Sequence, residues 1–227
     1  LHFFKKFNHQ VTVVSPNDFP DFLAWMPGSE NVLVYENNKA TVTPILHEAD
    51  LIFTLDFNAL HRVGELENEL VKITKPFIMI DHHQNPDDYA AVTYSDTAFG
   101  STREMIYNFI SFLGKKHQID KVIGTCIYTG ILTDSGSFRF PKTTGDTHRI
   151  VAELIDLGVE NTEIPTLLFD NSGFERLQLL GRALQNMKVF AAYKTAYTTL
   201  TQEELNSFNY VKGDTEGIVN YGLQVRG

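Results

Sequence analysis

The 227-residue chain holds one cysteine, Cys126, so no intrachain disulfide framework is available to it. A lone cysteine fits a reducing compartment, and the cytoplasm is the expected location. No run of about 18 apolar residues occurs, so no membrane span is expected. The opening LHFFKKFNHQ lacks the long apolar stretch of a secretory leader. Basic residues are the scarcer sign: 19 Lys and Arg stand against 28 Asp and Glu, a net charge of −9. That balance argues against a surface that grips long duplex nucleic acid, because such binding scales with the number of phosphates neutralised. It leaves room for a small anion held by a metal and a few local cations. A GxxxxGK[ST] loop, an early GxGxxG and a CxxC pair are also absent, so nucleoside-triphosphatase, dinucleotide and zinc-finger readings have no support.

What is present is ample core material: 43% of residues are hydrophobic, far above the range of disordered chains. Through the first 140 residues short apolar runs alternate with helical stretches. The strand candidates are 11–14 (VTVV), 32–35 (VLVY), 51–55 (LIFTL), 77–80 (FIMI) and 91–94 (AVTY). Continuous apolar runs mark strands covered on both faces, hence an α/β fold with a mostly parallel sheet flanked by helices. Helices are expected over Leu1–Phe7, 19–25, 43–49 (Thr43 as cap, Pro44 at the first helical position), 64–72 and 101–113. The last carries Met105, Ile106, Phe109 and Leu113 on one stripe. Residues 122–133 read equally as strand or helix. Further helices follow at 144–157, 162–169 and 173–186, where Gly181 suggests close packing. β propensity returns at 189–200. Thr201 and Glu204 have capping-box spacing, and YGLQVRG at 221–227 reads as a strand ending at a turn. The expected organisation is a main domain at 1–170, a linker helix at 171–187 and the start of a smaller α/β domain at 188–227. The last is too short to bury a core unaided.

The chemistry concentrates at strand ends. Asp81, His82 and His83 follow FIMI directly, and ligands of parallel sheets sit outside the carboxyl ends of strands. Asp56 closes LIFTL in the same way, with Asn58 and His61 after it, and Asp134 ends TGILTD. Asp56, His82 and Asp134 offer carboxylate and imidazole but no thiolate, a set suited to Mn, Mg, Fe or Zn at a catalytic site. Ser101 and Arg103 at a helix start are candidate phosphate contacts, as are Arg139 and His148. Phe138 and Phe140 are candidate base-stacking groups. The stretch 212–220, which holds Gly213 and Gly217, suggests a tight turn near a ligand, with Asp214, Glu216 and Asn220 as contacts. Cys126 reads as core.

These residues together resemble the DHH phosphoesterase superfamily, within it the small oligoribonucleases that also dephosphorylate 3′-phosphoadenosine 5′-phosphate. The matching segments are FTLDFNALHRVG (53–64), IMIDHHQNP (78–86), GSTREMIY (100–107), YTGILTDSGSFRF (128–140) and GDTEGIVNY (213–221). The resemblance implies two Mn2+ ions, Mg2+ being the alternative. It implies that Asp56 bridges them, that His82 and Asp134 are ligands, and that Asp81 orients the histidines while His83 lies beside the phosphate. It also implies a 1–170 catalytic domain and a partial DHHA1-like substrate domain at 188–227. The expected substrates are oligoribonucleotides of about 2–5 nucleotides or a nucleoside bisphosphate, with pyrophosphate or a linear or cyclic dinucleotide as rivals. A non-catalytic nucleotide-binding module is the non-enzyme rival, and a homodimer through an exposed sheet edge is compatible with the sequence. The family's His-x-x-x-Asp-x-Asp segment is not found before Asp18, nor is its Gly-rich, His-containing close. Residues before Leu1 and after Gly227 are therefore expected.

Overall fold

In the computed structural model, residues 1–170, 173–211 and 213–226 are described. The start of the expected linker helix, Lys212 and Gly227 lie outside them. The chain divides into two compact units, 1–19 with 24–164, and 20–23 with 165–227.

All five expected strands form: β1 (Val13–Ser15), β2 (Val32–Val34), β3 (Ile52–Leu55), β4 (Phe77–Asp81) and β5 (Val92–Ser95). Every pairing among them is parallel, in a β1–β2 ladder and a β3–β4–β5 sheet. β4 is the middle strand, and Phe77, Met79, Ile80 and Asp81 are all buried. That two-sided burial is why FIMI shows no alternation. The register sets Ile80 opposite Leu55 and Tyr94, so β3 and β4 reach their carboxyl ends side by side.

Helices cover this framework. α1 (His2–Lys5) is shorter than expected, and residues 19–25 contain only a 3-10 turn at Asp21–Leu23. α2 runs Tyr35–Glu48, so the expected start at Thr43 is corrected: Pro44 lies inside the helix, which kinks earlier, at Asn38. Pro44 has no N–H to donate, a loss this helix offsets by burying Tyr35, Val42 and Leu46. Those three join Ile52, Val63, Leu66, Leu70 and Phe77 in one apolar cluster that also includes α3 (Glu67–Leu70).

α4 (Thr102–Phe112) begins where expected, capped by the Ser101 side chain. Its buried face differs from the expected stripe. Thr102, Glu104, Met105, Tyr107 and Ile110 are buried, whereas Leu113 is exposed. α5 (Lys121–Asp134) settles the ambiguous 122–133 segment as helix. It is buried on most of its circumference, and its glycines are sites of close approach. A Cβ on Gly124 would come within 3.0 Å of Val159. Burial all round erases the one-sided periodicity that identifies a helix from sequence. Cys126 is half-buried in this helix, and burial pushes its thiol above the ordinary range. α6 (Gly145–Asp156) opens with a capping box between Thr144 and Thr147, and α7 spans Glu163–Phe169.

In the second unit α8 (Phe174–Gln185) precedes an antiparallel hairpin, β6 (Lys188–Phe190) and β7 (Thr195–Tyr197). α9 (Gln202–Ser207) carries the Thr201/Glu204 capping box that its spacing implied. Two expectations fail here. A Cβ on Gly181 would meet nothing within 4 Å, so this glycine does not serve close packing. Residues 221–226 are not a strand, because Ile218–Gln224 is a 3-10 helix entered through Gly217 at φ 80°. Among the described residues no helix is long and apolar enough to cross a membrane.

Glu104 supports a prediction about stability. It is 4% exposed, and its Oε2 accepts from the Thr147 hydroxyl at 3.1 Å. Burial raises its pKa, and Thr147 offsets this only in part. The folded value therefore lies above the unfolded 4.5, and the folded chain loses stability as pH rises between the two. Glu104→Gln is expected to melt above the parent at pH 8 and level with it at pH 4, as read by thermal unfolding. A gap that widens toward pH 4 would contradict this.

Candidate metal centre

Asp56 sits one residue past β3 with φ 70°, a left-handed conformation that Asp tolerates better than most residues. Its N–H donates to the Ile80 carbonyl at 3.1 Å, which extends the ladder by one rung and turns the side chain out over the sheet edge. There Oδ1 accepts from the Thr102 hydroxyl at 2.8 Å, and Oδ2 receives Nη1 of Arg103.

His82 and His83 leave the end of β4 beside it. His82 Nδ1 lies 3.2 Å from the Phe99 carbonyl. A carbonyl only accepts, so Nδ1 carries a hydrogen and Nε2 is the ring atom left to face a ligand. That Nε2 stands 3.6 Å from Asp56 Oδ1. His83 is fixed in the same manner by the fully buried Asp81, whose carboxylate accepts from His83 Nδ1 at 2.7 Å and from its backbone N–H at 2.8 Å. Carboxylate–imidazole pairs of this kind fix ring orientation at metal sites. Asp56, His82 and His83 thus offer three ligand atoms within 4.8 Å of one another. This donor set fits a divalent ion.

Asp134, at the end of α5, faces the same region from the helix side. Its Oδ2 accepts from Ser101 Oγ at 2.8 Å and lies 3.8 Å from Arg103 Nη1. Burial raises the Asp134 pKa, with Arg103 and Ser101 offsetting it in part. At Asp56 burial also pushes upward, but Arg103 and Thr102 outweigh it and the pKa is lowered. The two carboxylates thus differ in proton affinity.

Three consecutive residues, Ser101, Thr102 and Arg103, therefore hold both carboxylates. Ser101 and Arg103 carry these contacts in addition to any phosphate role. Thr102 does not stand out in the sequence, since a hydroxyl in a first helical turn reads as a cap. Asn58, which follows Asp56 closely in the sequence, has a structural part. It is 1% exposed and donates through Nδ2 to the carbonyls of His83 and Gln84, at 3.1 and 2.9 Å. Asn58→Ala is expected to cost about 1–3 kcal/mol, because two loop carbonyls lose their donor. Amide exchange at 83–87 should quicken in that variant, and unchanged exchange there would refute the role.

The other candidates make contacts of their own. Arg139 is exposed, and its Nε donates to the Gly136 carbonyl at 2.8 Å. Residues 135–142 form turns, with Ser137 and Phe138 at positive φ. His148 is exposed on α6, its ring 5.4 Å from that of Phe138. Phe140 is 39% exposed, its ring against Gly136. In the second unit, Gly213 and Gly217 both have positive φ, so 213–217 is the tight turn expected. Asp214 Oδ2 accepts from the Val211 N–H at 2.8 Å, while Glu216 and Asn220 are exposed.

A parallel α/β sheet with Asp56, His82 and His83 gathered at its carboxyl edge is consistent with a metal-dependent hydrolase. The sequence profile of the DHH family N-terminal domain matches residues 1–131, and the chain belongs to the DHH family. It is 34% identical over 112 residues to the bifunctional oligoribonuclease and PAP phosphatase NrnA of Bacillus subtilis, covering 48% of this chain and 35% of that protein. It is 29% identical over 143 residues to a probable NrnA of Streptococcus mutans, covering 63% and 45%. The chain thus spans less than half the length of these curated relatives. A solved structure, an exopolyphosphatase-related protein from Bacteroides fragilis, superposes over 99% of this chain and 66% of its own with TM-score 0.95 and 38% identity.

Proposed function

We propose that the chain carries the metal centre of a manganese-dependent phosphoesterase acting on oligoribonucleotides of about 2–5 residues and on 3′-phosphoadenosine 5′-phosphate. The observation that carries the reading is the convergence of Asp56, His82 and His83 at one sheet edge in a DHH-family chain. The named activity of the NrnA relatives supports the substrate class. The net charge of −9 favours a short substrate over a long basic track.

Asp56, His82 and Asp134 would hold two Mn2+ ions, with His83 a further ligand or phosphate contact. Divalent ions there supply Lewis-acid polarisation of the phosphoryl group and acidify water. The remaining work falls to side chains. Asp81 accepts from His83 Nδ1 and holds the ring so that Nε2 would face a phosphate oxygen as charge develops on it. Arg139 and His148 supply phosphate contacts beside Phe138, whose ring offers a base a stacking face. Asp214, Glu216 and Asn220 are proposed as a nucleotide contact of the second unit taken by itself.

The test compares a linear diribonucleotide, the adenosine bisphosphate, pyrophosphate and polyphosphate with the purified protein in Mn2+. Release of mononucleotide or AMP, abolished by chelator, is expected. Turnover of pyrophosphate or polyphosphate alone would replace the nucleotide reading, and chelator-insensitive or absent turnover would overturn the metal one.

A further inference from the structure

We infer that Arg103 is a built-in counter-cation that competes with a divalent ion for the Asp56–Asp134 pair. The inference rests on the reading that these carboxylates bind metal. Nη1 of Arg103 donates to Asp56 Oδ2 and lies 3.8 Å from Asp134 Oδ2, so one guanidinium serves two carboxylates. A divalent ion shared by the same oxygens meets a like charge unless the guanidinium leaves.

The approach of Arg103 has its own provision in the fold. Its stem lies across α5 at Gly130. A Cβ there would fall 2.2 Å from Arg103 Cγ, 2.5 Å from Cδ and 2.7 Å from Nε. Any other residue at position 130 would evict the side chain. The glycine costs helix propensity in the middle of α5, and it makes the groove through which the guanidinium reaches the carboxylates.

Departure is equally provided for. The Arg103 side chain is 40% exposed, and its long stem can carry the charge into water. The carboxylates do not depend on it for position. Thr102 holds Asp56 and Ser101 holds Asp134, each through a hydroxyl at 2.8 Å. Arg103 therefore neutralises the pair in the metal-free protein and withdraws on loading. The apparent dissociation constant is the intrinsic one divided by the fraction of molecules in which the arginine has left.

Mn2+ titration calorimetry on the full chain, paired with melting of the metal-free protein, tests this. Arg103→Met keeps the stem and removes the charge. It is expected to bind Mn2+ about tenfold more tightly than the parent. Metal-free, it should melt lower, and saturating Mn2+ should restore it to the level of the loaded parent. Gly130→Ala keeps the charge but displaces the stem, and should tighten Mn2+ in the same direction. It decides the matter if Arg103→Met fails to fold. Equal or weaker Mn2+ binding in the folded variants overturns the competition and leaves the metal centre standing. Absence of Mn2+ binding in parent and variants alike overturns the metal centre itself.

Discussion

Asp56→Asn is expected to weaken Mn2+ binding by at least about a hundredfold and to lower phosphoester hydrolysis by about a thousandfold, with the fold intact. Asparagine suits the left-handed backbone at φ 70° as well as aspartate does, and its amide oxygen still accepts from Thr102. What it lacks is the negative charge that faces His82 Nε2 and Arg103. Its amide hydrogens point where a cation belongs. Metal titration and circular dichroism on the same sample separate the two effects. Wild-type Mn2+ affinity in a folded Asp56→Asn variant would remove Asp56 from the metal centre and, with it, the proposed function.

Ile80→Ala is expected to destabilise the chain by about 2–5 kcal/mol, the usual range when a fully buried branched side chain is truncated. Ile80 is 0% exposed in the central strand, between Leu55 of β3 and Tyr94 of β5. Domains of this size are stable by about 5–15 kcal/mol, so the loss is a large share of the total. It would appear in urea unfolding as a lower midpoint at unchanged slope. Leu55→Ala, at a position 44% exposed, is the contrast and should cost much less. The substitutions at 56 and 80 are linked, because the Ile80 carbonyl accepts the Asp56 N–H and the His82 pair begins two residues on. A cavity under Ile80 should therefore loosen the metal centre too, and Mn2+ affinity should fall with stability. An Ile80→Ala chain as stable as the parent would show that β4 is not the packed centre of the fold.

The legibility of each feature follows from the range of the interaction behind it. Strand β4 is readable because two-sided burial writes a continuous apolar run, and the polar residues that stop the β3 and β4 runs are the site residues themselves. The capping box at Thr201 is readable because all its partners lie within four residues. The start of α2 is misread for the converse reason: Pro44 is a strong local start signal, and burial of Tyr35, Val42 and Leu46 against distant residues overrides it. α5 stays ambiguous because its glycines answer to Val159 and Arg103, far away in the chain.

Sequence alone determined the class of fold and the residue types available for chemistry, since apolar runs and their polar ends are local facts about the chain. Only the tertiary structure decided how those residues are used. It set Arg103 between Asp56 and Asp134, tied His82 to the Phe99 carbonyl and gave Asn58 the loop carbonyls to hold. Each is a contact between residues 17 to 47 positions apart, or between directions a side chain takes only once the surrounding core is packed. No local pattern encodes such a distance.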